Sequence, residues 1–233
     1  MPTSYILQID TATQVCSVAL SRDGKTIART DVDEPNVHAS RLTLLISELM
    51  QSVDVSFGNL SAVAVSKGPG SYTGLRIGVS TAKGLCYALN LPLIAVDTLA
   101  AMAEGLVMSD GYTALKDEQL FPMIDARRME VYTATFDQHL VEVSPPQAVI
   151  IDEQSFDNLG AGCRAVLFGS GADKFTGLFE QVEHVKVLTG FKNSAANLSR
   201  FAHQDFLAGK FVDLAYFEPY YLKDFVATTP KQR

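Results

Sequence analysis

Residues 67–78 read KGPGSYTGLRIG, and four glycines with a proline, running into a helix-like stretch, are the composition from which phosphate cradles are built. Glycine lets the backbone take positive φ and approach a ligand, and a helix N-terminus behind it offers unpaired N–H groups to an anion. The register matches no standard motif. A dinucleotide fingerprint needs glycine at Thr73, and a Walker loop needs Lys and Ser/Thr where Leu75 and Arg76 follow Gly74. Gly70-Ser71-Tyr72-Thr73-Gly74 places serine one position too early for a nucleophile elbow. Two readings stand: an anion cradle, or a tight strand-to-helix turn.

The other reactive side chains are sparser. Asp10 closes the apolar stretch YILQID, where a carboxylate either positions a metal-bound water or makes a turn contact with nearby N–H groups. Its counterpart Asp125 stands beside Arg127 and Arg128, with which it can pair. His38, His139, His184 and His203 show no H-x-x-x-H spacing, and His38 has no Cys or carboxylate at ligand spacing, which points to a surface or interface role. Ser71 and Ser170 have no His-Asp constellation around them. Cys16, Cys86 and Cys163 are odd in number, far apart and set among apolar neighbours, which predicts buried free thiols in a reducing compartment.

Positioning these groups requires a scaffold. Residues 5–10 and 15–21 alternate as strands, and Asp23-Gly24 is a hairpin signal, so the chain opens as a three-stranded meander. Leu42, Leu45, Ile46, Leu49 and Val53 recur at helical spacing over 37–53; strand 61–66, helix 73–89, strand 91–96 and a helix capped by Asp97 or Thr98 follow. IDTATQVCSVAL (9–20) is echoed by IDARRMEVYTATF (124–136), and VSKGPGS (65–71) by LFGSGAD (167–173), each of the latter a strand, G-x-G and a helix. Two echoes in one order predict a duplicated lobe. The expected division is residues 1–103 and a reduced lobe of residues 104–233, the latter ending in a helix near 194–208.

On the second helix Gly74, Gly78 and Ala82 are spaced four apart and line a nearly bare face beside the stripe of Leu75 and Val79. Such a face either admits a helix of another protein or packs closely on the chain's own sheet. On the first helix Leu44 and Met50 lie off the main apolar stripe.

The chain has 233 residues and a formal charge of −7, without the basic stripe of a protein that grips nucleic acid alone. The densest cationic groups are Arg127-Arg128 and Lys231 with Arg233. No apolar run approaches the ~20 residues that cross a bilayer, and MPTSYILQID has no signal-peptide pattern, so a cytoplasmic protein is expected.

A duplicated meander with Asp10 ending its first strand resembles the actin, hexokinase and heat-shock ATPase superfamily: an α/β fold of two lobes with mixed sheets, in which the first hairpin and a G-x-G loop hold nucleotide phosphates. Ala12 stands where that pattern has glycine. GPGSYTGLRIGVSTAKGL (68–85) with His38, Arg41, LPLIAVDTLAAMA, DARRMEVYTATF, FGSGADKF and PYYLKDF resembles the bacterial TsaB (YeaZ) family over nearly the whole chain. That resemblance implies a scaffold subunit without catalysis of its own. It would bind TsaD, which transfers threonylcarbamoyl to the adenosine beside the tRNA anticodon, and join the ATPase TsaE; TsaC makes the adenylate donor. It also implies docking through the two N-lobe helices, with His38, Arg41, Leu44, Leu45, Met50, Gly74, Leu75, Gly78, Val79 and Ala82 at the interface, and a homodimer when the partner is absent. Asp10, Thr11, Ser71, Gly169 and Gly171 would be a vestigial or shared nucleotide-facing set, with no cofactor of the chain's own and ATP or ADP only at the partner interface. TsaD's two metal-binding histidines correspond to about Thr98 and Met102, neither a substitute for imidazole; tRNA would be held mainly through partners. The competing readings are a nucleotide-dependent phosphotransferase using Asp10 and the two glycine loops, and a glycoprotease-like peptidase.

Overall fold

The computed structural model describes residues 3–113, 115–160 and 162–223; Lys231, Arg233 and the end of PYYLKDF lie outside them. The opening meander is β1 (Tyr5–Asp10), β2 (Val15–Arg22) and β3 (Lys25–Asp33), all antiparallel. Asp23 and Gly24 both take positive φ (51° and 79°), the two-residue turn that matches strand twist. Then come α1 (His38–Ser52), β4 (Ala62–Ser66), α2 (Tyr72–Leu89) and β5 (Leu93–Val96), with β4 parallel to β1 and β5 parallel to β4. The sheet order is β3-β2-β1-β4-β5. The two helices cover one face, where Leu42, Leu45, Ile46, Leu49, Val79 and Cys86 pack on Leu7, Ile9, Cys16, Val18 and Val63.

α3 (Thr98–Val107) leads into β6 (Glu118–Asp125), β7 (Glu130–Phe136), β8 (Glu142–Ile150), β9 (Arg164–Phe168) and β10 (Val185–Leu188). Their order, β8-β7-β6-β9-β10, repeats the first sheet strand for strand, with an antiparallel meander and two parallel additions. This is the duplication that the two sequence echoes pointed to. The helix expected after Gly169-Ser170-Gly171 is only a 3-10 turn over Asp173–Phe175, and a core of Phe121, Phe156, Phe175 and Phe179 takes the place of a helix pair.

α3 sits between the two halves. Leu99, Met102, Ala103 and Leu106 pack on Leu120, Ile124, Val166 and Phe168 of the second sheet, while Ala101 joins Ile94, Val96 and Ile6 of the first. The chain then returns: α4 (Ser199–Leu207) buries Ala202 against the first sheet. Beyond it, Val212 pairs with Leu93 of β5, and the segment runs on along α2. Lys83 Nζ donates to the carbonyls of Ala215 and Phe217 at 3.1 and 3.0 Å, and Tyr220 N donates to Lys67 O at 2.7 Å. Among the described residues no helix is long and apolar enough to cross a membrane.

Candidate functional site

The site is the seam where the first hairpin, the GPG turn and α3 meet. β1 delivers Asp10 into the interior, 1% exposed. Its Oδ1 accepts from Ala12 N at 2.9 Å and from Ser66 Oγ at 2.9 Å, and Asn193 Nδ2, 183 residues along the chain, reaches Oδ2 at 3.4 Å. Burial holds the carboxyl above its ordinary range, and these three donors only partly oppose that. The contact with Ala12 N is the turn role that the sequence allowed. Asn193 is followed by Ser194, whose hydroxyl donates to Asp31, and Ala195, whose N–H donates to Ser17 Oγ at 2.6 Å, so the returning chain covers Asp10.

The GPG turn is closed on the same hairpin. Ser71 N donates to Ala12 O at 2.7 Å, and a methyl group at Gly70 would lie 2.8 Å from Ala12 Cβ. Gly70 is thus packed directly against Ala12 and its backbone. Ser71 Oγ is committed to Gly74 N at 3.2 Å as the helix cap, and Thr11 Oγ1 donates to Gly74 O at 2.8 Å. Gly68–Pro69 is a cis peptide, and Gly68 at φ 112° lies under Tyr220 O, closer than any Cβ would permit.

α3 begins with an Asp97 cap accepting from Leu99 N and Ala100 N at 3.0 and 3.1 Å, and burial raises the Asp97 carboxyl against those bonds and Lys67. Thr98 Oγ1 accepts from Gly68 N at 3.0 Å. One turn later Met102, 1% exposed, lies where a methyl group on Gly169 would be 2.5 Å from its Cε. Thr98 and Met102 therefore join the two glycine loops by a hydrogen bond and by packing. Gly171 lies against Ile124 and Val131. Among the described residues no group of three or more His, Cys, Asp or Glu is placed to hold a metal.

Several expected placements are corrected. Leu45, Met50, Leu75, Val79 and Ala82 are all core residues of the first lobe, 4% exposed or less. Gly74 and Gly78 face Thr11: a methyl at the first would overlap Thr11 O, and at the second Thr11 Oγ1. The bare face is filled by the chain's own hairpin. His38 is buried rather than on the surface, with Nε2 unpartnered among the described residues, as is Arg41 Nε. Leu44 is 48% exposed on α1. Asp125 pairs with Lys174 at 2.5 Å rather than with the arginines. Cys16 and Cys86 are buried thiols, each pushed up to about 11, chiefly by burial, whereas Cys163 is only half-buried.

What sequence reasoning missed is the open flank of α2. Thr73, Ser80, Gly84 and Ala88 are exposed, with Ile77 half-buried between them, and a methyl group added at Gly84 would meet nothing within 4 Å. Their i, i+4, i+7, i+11 and i+15 spacing was the available signal; the inner glycines, one helical face away, drew attention from it. Arg76 and Lys83 border this flank on the side where the returning segment runs.

Two five-stranded mixed sheets of the same order, sharing a helix between them, define an actin/hexokinase-like two-lobed protein. An activator of 2-hydroxyisocaproyl-CoA dehydratase from Clostridium difficile shares the fold, at TM-score 0.53 and 7% identity over 88% of this chain and 97% of that one. Within that class the similarity is narrower. The family model described as tRNA N6-adenosine threonylcarbamoyltransferase matches residues 35–163. The tRNA threonylcarbamoyladenosine biosynthesis protein TsaB of Bacillus subtilis is 35% identical over 195 residues, 82% of this chain and 80% of that protein. Its Escherichia coli namesake is 40% identical over 131 residues, 56% of this chain and 54% of its own length, so the chain spans about half of that relative. YeaZ from Pseudomonas aeruginosa superposes at TM-score 0.75 with 27% identity, over 95% of this chain and all of the other. The chain belongs to the TsaB (YeaZ) family.

Proposed function

We propose that this protein is a non-catalytic scaffold subunit of tRNA threonylcarbamoyladenosine biosynthesis, which binds and orders a TsaD subunit and helps to recruit TsaE. The observation that carries the docking part is the outer flank of the N-lobe helix pair. Leu44 is 48% exposed on α1, and on α2 Thr73, Ser80, Gly84 and Ala88 present small side chains without charge. Small residues let a second helix pair approach closely, and dispersion contacts accumulate over such an interface. The names of the relatives supply the pathway. Homodimers through the same flank are the form proposed for the protein alone.

The chain contributes no nucleotide site of its own in this reading; ATP or ADP would bind only where the partners meet. Asp10, enclosed by Ala12, Ser66 and Asn193, supports this against a phosphotransferase. In reconstitution with TsaC, TsaD, TsaE, ATP, threonine, bicarbonate and tRNA, omission of this chain should abolish modification, and this chain without TsaD should give none. Gly84→Arg should fold as the parent does and lose co-purification with TsaD; a variant that folds and binds normally would sink the assignment of the flank.

A further inference from the structure

The β6–β7 turn and the end of the returning segment form one surface, and we infer that it contacts a single-stranded RNA loop. This deepens the RNA-modification reading above and rests on it. Arg127 and Arg128 occupy the turn with φ 78° and 51°, and both are exposed. Neither makes an ion pair or a side-chain hydrogen bond among the described residues. The adjacent carboxylates are already neutralised, Asp125 by Lys174 and Glu130 by Lys223, each at 2.5 Å. Two adjacent guanidinium groups without counter-charge are therefore displayed by a chain whose net charge is −7.

The Lys223–Glu130 pair also fixes what lies beside them. It ties the end of the returning segment to the hairpin, bringing Tyr220, Tyr221 and the α2 flank into the same neighbourhood. Tyr220 is 43% exposed. Tyr221 stacks on Tyr72 with ring centroids 4.8 Å apart, and the Arg76 guanidinium lies 4.1 Å from the Tyr72 ring centroid and 5.9 Å from that of Tyr221. Cations for phosphates at one end and aromatic and guanidinium planes at the other are the two components of a surface for unpaired nucleotides. Duplex RNA keeps its bases stacked and offers rings nothing to stack on, whereas an unpaired loop can splay its bases. An acidic protein segment would use the arginines and leave the tyrosine unused. Exposed Glu218 limits the electrostatic gain along the segment, so the arginines must supply most of it.

The test uses the full chain bound to TsaD and a labelled anticodon stem-loop RNA, followed by fluorescence anisotropy across a salt series. Arg127→Asn with Arg128→Asn removes both charges while asparagine retains the left-handed backbone. Each phosphate no longer neutralised is worth ~0.7 in the slope of log affinity against log salt, so that slope should become shallower by about 1.4. Tyr220→Ala should weaken binding by roughly tenfold with the slope unchanged. Unchanged affinity and slope in both variants, or equal losses on a blunt RNA duplex, would overturn the surface, as would a wild-type complex that does not bind the stem-loop. If the wild-type mixture modifies tRNA while the variants bind as tightly as the parent, only this surface fails; if no modification depends on the chain, the reading beneath it fails.

Discussion

Gly78 lies against Thr11: a methyl group at position 78 would overlap Thr11 Oγ1, and Thr11 is fully buried. The helix that follows the GPG turn is thereby fixed to the first hairpin through a glycine. Helix propensity alone would make Gly78→Ala favourable by about 1 kcal/mol, but overpacking against an immobile neighbour costs about 1–3 kcal/mol. A net loss of up to about 2 kcal/mol is expected in urea unfolding, and Thr11→Ala in the same chain should recover part of it. Gly84→Ala, with open space around it, should instead gain up to about 1 kcal/mol. Equal effects at the two glycines would mean that the inner face is not packed as described.

A second bond holds the returning chain to the central helix. Glu104 of α3, 5% exposed, receives both Nε and Nη2 of Arg200 at the start of α4 in a fork-to-fork pair. A fully buried pair broken on one side loses ~3–5 kcal/mol, but the Arg200 side chain is 45% exposed and screened, which reduces the expected loss for Glu104→Ala to about 1–2 kcal/mol. Arg200→Lys keeps the charge but not the fork and should lose a comparable amount. A double-mutant cycle over Glu104→Ala and Arg200→Ala should show coupling near ~1 kcal/mol. Additive variants would leave the pair without a stabilising role.

The first lobe was legible in the sequence because its signals are local. Asp23-Gly24 announces a hairpin, Leu42 to Leu49 a helix, and Asp97 a cap, each within a few residues. The second sheet was legible only as an echo, since the eye compares IDTAT with IDARR before it knows that both end a strand. The packing of the glycines was not legible. A row of small residues records that something approaches closely, but Thr11 is far from Gly78 along the chain, with no pattern to link them. The closure over Asp10 was hidden for the same reason: Asn193, Ser194 and Ala195 are ordinary loop residues until the chain has folded back. Met102 read as a lost metal ligand, whereas its other role, filling the space beside Gly169, depends on a contact between halves of the duplication.

The burial of Asp10 has a pH signature. Its carboxyl stays protonated above the ordinary value of 3.8, because burial disfavours the charge more than Ala12, Ser66 and Asn193 favour it. Between that value and the folded-state value the folded chain binds more protons than the unfolded one, so stability falls as pH rises through this window. The contribution is fully present below about 3.8 and is lost once pH passes the folded-state value. Asp10→Asn mimics the protonated form and retains acceptors for Ala12 N and Ser66 Oγ, provided the Asn193 amide turns to present its oxygen. Relative to this variant, wild type should lose stability steadily as urea titrations move from about pH 4 toward neutrality. Asp10→Ala, which leaves three buried donors unpaired, should be about 1–3 kcal/mol less stable than Asp10→Asn at every pH. If the difference between wild type and Asp10→Asn is flat with pH, the carboxyl is ionised in the folded chain and the closed seam is held by charge.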